Sequence, residues 1–219
     1  MRRLLLLAVA ILVVAASAGP ARAGYEFRFA DSSGNLQSSF TFDATVTPTI
    51  DIRVYLVQTG GDTGLSASGL DSSGARLTYD AGAVAKVQNA TDITPNGSFD
   101  VANRSVTSTS AKLQEFQDTS APVVAPTTGT DANRILVGTY KFTGLSVGTS
   151  LVVTADPDPT PGFNDNVLGD GTVLDGLIAN NSAAITVTAV PEPGTLALTG
   201  LFAAGLGAAG LRRLRRSPV

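Results

Sequence analysis

The chain has 219 residues, with no cysteine, histidine or tryptophan, and 18 acidic against 15 basic side chains give it a net charge of −3. Without cysteine, disulfides, thiol catalysis and thiolate metal sites are excluded; without histidine, so are serine triads, His-ligated zinc and the usual general base near neutral pH. Residues 24–190 hold 17 acids and 8 bases, so this stretch alone carries −9 and repels phosphate backbones, which excludes nucleic acid as an expected partner.

In chain order, Arg2 and Arg3 precede an apolar run from Leu4 to Ala16, and Ala21, Arg22 and Ala23 supply the small-residue spacing that signal peptidase accepts. The expectation is an N-terminal signal helix over residues 1–23, export, and a mature chain starting at Gly24; a retained membrane anchor is the alternative.

The body, residues 24–190, reads as β throughout. Tyr25 to Phe29 alternates ring and charge, as does Phe40 to Asp43, and a period of two puts the rings on one strand face. Thr49 to Val57 sets Ile50, Ile52, Val54 and Leu56 on one face, with Asp51, Arg53 and Tyr55 on a wet one. Gly60 to Asp62 and Asp71 to Gly74 read as turns, with strands at Leu65–Leu70, Ala75–Tyr79 and Val84–Val87. Weaker strands fall at Ser98–Val101 and Ala111–Phe116, and Ala121 to Asn133 reads as a long loop. Arg134 to Phe142, Ser150 to Ala155 and Ala184 to Val190 complete the set. Eight to eleven short strands, with no crossover helices and no fixed repeat, predict an all-β, antiparallel two-sheet β-sandwich, such as a jelly-roll.

Chemistry is sparse. Glu26 and Glu115 are the only glutamates of the body, and nothing in the sequence brings them together as a glycosidase pair. The reading is a non-enzyme without an obligate cofactor. Asp156, Asp158, Asp165, Asp170 and Asp175, with Asn164 and Asn166, gather oxygen ligands of the kind Ca2+ takes, but their spacing is not that of an EF-hand; a solvated loop of turn formers is the other reading. Tyr55 is the one ring nominated for ligand contact, and burial against a neighbouring strand or loop is its alternative.

After Val190, Pro191-Glu192-Pro193 ends the last strand, since proline lacks a ladder donor. Leu196 to Leu211 then runs uncharged, which predicts a transmembrane helix over 196–211, and Arg212, Arg213, Arg215 and Arg216 would stay on the cytoplasmic side. Motif, span and basic cluster, in that order behind a signal peptide, resemble the PEP-CTERM sorting signal, here over 191–216. The resemblance implies a substrate of an exosortase-like membrane protease, recognised at Pro191, Glu192 and Pro193. It implies transient anchoring in the inner membrane and release to the cell surface or extracellular matrix, with extracellular polysaccharide as a possible neighbour. The body itself is similar to cohesin-like and carbohydrate-binding β-sandwich modules, through the strands at Ile50–Val57 and Ile135–Phe142 and the stretch Leu65–Tyr79. The function expected is thus a non-enzymatic surface or matrix protein, with a carbohydrate- or protein-binding module of cohesin-like type as the alternative.

Overall fold

The computed structural model describes residues 24–160 and 166–189, and these form two packed β-sheets. The first has the order β12 (Ile178–Ala179), β1 (Gly24–Ala30), β3 (Thr49–Thr59), β9 (Arg134–Gly144) and β5 (Ala85–Lys86), with β6 (Ile93–Pro95) also paired to β9. The second runs β2 (Ser39–Asp43), β13 (Asn181–Thr188), β10 (Gly148–Pro157), β4 (Leu70–Thr78), β8 (Ser110–Phe116) and β7 (Val101–Val106), with β11 (Val167–Leu168) on β4. The two-sheet sandwich is as expected, but not purely antiparallel: β1 pairs parallel with β12, and β13 pairs parallel with β2.

Alternation builds the core. Tyr25, Phe27 and Phe29 of β1, Ile52, Val54 and Leu56 of β3, and Tyr140 and Phe142 of β9 all turn inward and are buried, meeting Ala75 and Leu77 of β4 and Ala111 and Leu113 of β8. Tyr79 meets Phe142 edge-on at 6.1 Å between centroids. Gly138 lets the sheets approach: a Cβ there would collide with the Leu113 side chain and stand 3.2 Å from the Thr94 carbonyl.

Three local expectations are revised. Leu65–Leu70 is not a strand; Gly64–Ala67 winds one helical turn, α1, because the Gln58 side-chain carbonyl accepts the Leu65 N–H and draws Leu65 into the core. Asp71 to Gly74 is not a turn but the first half of β4, paired residue for residue with β8 from Ser72–Phe116 to Gly74–Gln114. Ser98–Val101 mostly precedes its strand, β7.

The membrane expectation is corrected here. Among the described residues no helix is long and apolar enough to cross a membrane. The transmembrane helix expected at 196–211, which lies outside the described residues, and the transient inner-membrane anchoring built on it have no support in the structure and are withdrawn. The signal segment 1–23, Pro191, Glu192 and Pro193, and Arg212, Arg213, Arg215 and Arg216 lie outside the described residues.

Candidate functional site

On the outer face of the first sheet, one end carries a groove of about 350 Å³ between β3, β9, the turn at Asn96–Ser98 and the loop 117–133. Its loop wall is tied down at several points. Asp100 Oδ2 accepts the N–H groups of Asp118, Thr119 and Ser120 at 2.9–3.0 Å, and the Thr119 N–H foremost holds the Asp100 carboxyl well below the usual carboxylate range. Val123 and Leu70 exchange both backbone bonds, at 2.8 and 2.9 Å, and Ala125 N–H donates to Leu65 O at 2.9 Å. Asn133 takes a left-handed backbone, φ 61°, while its N–H donates to Pro126 O at 2.7 Å and its side chain accepts from Gln58 at 3.0 Å.

The opposite wall is Asn96. Its Nδ2 donates to Leu136 O at 2.8 Å, its Oδ1 accepts the Ser98 N–H at 3.1 Å, and its own N–H donates to Glu115 Oε1 at 2.6 Å. Glu115 has no exposed surface, because on β8 it shares the inward parity of Ala111 and Leu113. Burial pushes its carboxyl up to about 9, against the opposing pull of the Asn96 N–H and the Arg104 charge. Neither Glu115 Oε2 nor the Tyr140 hydroxyl has a hydrogen-bond partner among the described residues.

Tyr55 and Arg134 form the floor. The Arg134 guanidinium lies 4.3 Å above the Tyr55 ring centroid, donates through Nη2 to Gly34 O at 2.8 Å, and is held by Asp131 Oδ1 at 2.6 Å. This stack answers the sequence expectation for Tyr55. The ring is on the outer face as placed, but only 4 % exposed, because Arg134 and the turn at Gly34 cover it. A register shift in the β3–β9 ladder at Val54/Tyr55 sets Tyr55 opposite Leu136 instead of Val137. Tyr55 thus carries an arginine at the groove floor and offers no open stacking face.

The acid-rich stretch takes a different form. Asp156 pairs with Arg76, Asp158 with Lys112 at 3.0 Å, and Asp170 accepts from Ser68 at 2.9 Å and from the Thr172 N–H at 3.0 Å. Asp175 Oδ1 accepts from Asn166 Nδ2 at 2.7 Å and from its N–H at 3.1 Å. Asp165 and Asn164 lie outside the described residues. The described carboxylates thus point to separate partners, and no group of three or more is placed to hold a metal ion among the described residues.

No family model matches the sequence, and no curated protein matches it. Solved structures of low identity resemble it. A type I cohesin–dockerin complex from Clostridium thermocellum has 11 % identity and a TM-score of 0.45, covering 75 % of this chain and 99 % of that one. The solution structure of CaCohA2 from Clostridium acetobutylicum has 16 % identity and a TM-score of 0.44, with 75 % and 91 % covered. A non-cellulosomal cohesin from the archaeon Archaeoglobus fulgidus has 11 % identity and a TM-score of 0.44, with 80 % and 96 % covered. The partner expectation is corrected: six of the resembling structures are cohesins, some solved with dockerins, and nothing in the comparisons supports a signal peptidase, an exosortase-like protease or a polysaccharide. Those partners are withdrawn.

Proposed function

We propose that the protein is a non-catalytic protein-binding module that receives a segment of its partner in the groove beside Tyr55 and Arg134. The observation that carries this reading is that the groove is built in advance. Both walls and the floor are fixed by hydrogen bonds and a ring stack within the fold, so little ordering cost remains for binding. Val124 stands 55 % exposed on its rim, an apolar contact left open beside polar groups. A hydrolytic alternative finds no support: among the described residues Asp131 is the only carboxylate lining the groove, Glu26 is bonded to Arg28, and Glu115 lies in the core.

The test is panning of a phage-displayed random peptide library against the full-length protein. Enriched peptides are expected to bind the wild type and to weaken up to about tenfold with Val124→Ser, the loss of two buried carbons. An absence of enrichment, or peptides indifferent to Val124→Ser, overturns the proposal.

A further inference from the structure

Of the 8 bases in residues 24–190, five lie on the first sheet: Arg28, Arg53, Lys86, Arg134 and Lys141, and Lys86 donates to the Ala81 carbonyl. Arg28 is paired with Glu26 and Arg134 with Asp131. Asp51 stands opposite Lys141 in the β3–β9 register. Arg53 is left over. Its cross-strand neighbours are Ala30 and Thr139, neither of them an acid, and it makes no hydrogen bond or ion pair among the described residues.

Arg53 is also close to the other guanidinium of the groove. Gly34 holds a left-handed φ of 89°, and a Cβ built on it would lie 3.6 Å from both Arg53 Nη1 and Arg134 Nη2. The two nitrogens are therefore within about 7 Å of each other, where like charges repel. Asp131 engages Arg134 from the loop and is itself more than half exposed, so one carboxylate serves two cations. A cationic pair short of one counter-charge is a local positive site, complementary to an acid brought by something else.

Resting on the binding-module reading, we infer that the groove's partner segment is acidic, with an Asp or Glu side chain of a partner protein seated on Arg53, above the Arg134 floor and beside the apolar Val124 rim. The Arg53 guanidinium presents a planar fork of donors that fits a carboxylate, while Arg134, 4 % exposed and donating to Asp131 and Gly34, adds its charge from the floor. The occupant is a peptide rather than a lone small anion, because the groove is open and pairs its cations with apolar wall.

The experiment is calorimetric titration of the full-length protein with two short peptides, one alternating Asp with Gly and one alternating Ser with Gly. The Asp peptide is expected to bind at least about tenfold more tightly, to lose about tenfold with Arg53→Gln, and to weaken as salt is raised. Because Arg53 makes no hydrogen bond or ion pair among the described residues, Arg53→Gln is expected to leave the melting temperature unchanged or slightly higher, which separates lost binding from lost folding. Equal binding of the two peptides, with both weakened by Val124→Ser, overturns the acidic-partner inference and leaves the groove reading standing. Failure of both peptides to bind overturns it too, as does a wild-type dimer that Arg53→Gln dissociates, since the groove would then belong to a second copy.

Discussion

Folding stability is expected to fall as the pH rises from about 5 to about 9, by up to about 1.4 kcal/mol per pH unit, and to stop falling in a Glu115→Gln variant. Burial raises the Glu115 carboxyl to about 9 from its ordinary 4.5. Between those values the folded chain keeps a proton that the unfolded chain has released, so each step up in pH favours unfolding. The contribution is fully present below about 4.5 and gone above about 9. Other shifted groups act elsewhere: Asp31, Asp100 and Asp170 are lowered and matter in acid, while Tyr25, Tyr79 and Tyr140 are raised and matter above the ordinary tyrosine range. There is no histidine to confuse the window. Glutamine keeps an oxygen for the Asn96 N–H without an ionisable proton. Urea midpoints at pH 5, 7 and 9 should therefore converge for the variant and separate for the wild type; parallel behaviour of the two would refute the assignment.

Asn166→Ala is expected to cost about 2–4 kcal/mol, more than a surface substitution can. Between the end of β10 at Pro157, opposite Ala75, and the start of β11 at Val167, opposite Ser72, β4 would be left at Gly74 with the Asp158 N–H, 3.3 Å from the Gly74 O, and with no acceptor for the Gly74 N–H. The Asn166 amide fills that gap as a backbone would. Its Nδ2 donates to Gly74 O at 3.1 Å, and its Oδ1 accepts the Gly74 N–H at 3.2 Å and the Ser73 hydroxyl at 3.1 Å. The side chain has no exposed surface, so its removal strands several buried polar groups at once. Asp175→Ala, which removes only the acceptor that orients Asn166, should cost roughly half as much, and Asp170→Ala at the exposed Ser68 contact the least of the three. Equal unfolding midpoints for wild type and Asn166→Ala would show that the gap at Gly74 is filled in another way.

The strands that sequence pattern places well are those with an uninterrupted period of two: Tyr25 to Phe29, Thr49 to Val57 and Arg134 to Phe142. Their alternation survives because one face meets the opposite sheet directly. Pattern fails where long-range partners decide. Asp71 to Gly74 has turn chemistry, yet β8 and a side chain 92 residues away give it strand pairing. Leu65 to Ala67 looks extended, yet Gln58 captures its backbone. The seven oxygen-bearing side chains between Asp156 and Asp175 look like one cage, but the described carboxylates serve separate partners, a distinction that spacing does not encode.

The candidate site was half legible. Tyr55 was placed on the correct face, but its cover comes from Arg134, 79 positions on, and from Gly34, and neither carries a local signal. The signal for Glu115 was present and unused: an acid in register with Ala111 and Leu113 on a strand is a core acid, and it anchors the groove wall at Asn96. Arg53 needed the cross-strand register to be seen as the unpaired cation.

The most direct measurement is an amide chemical-shift map of the full-length protein titrated with the alternating Asp–Gly peptide. The account predicts perturbations confined to residues 53–55, 96–98, 123–126 and 134–136. Perturbations gathered instead on the outer face of the second sheet, around Arg76, Lys112 and Gln114, would contradict it.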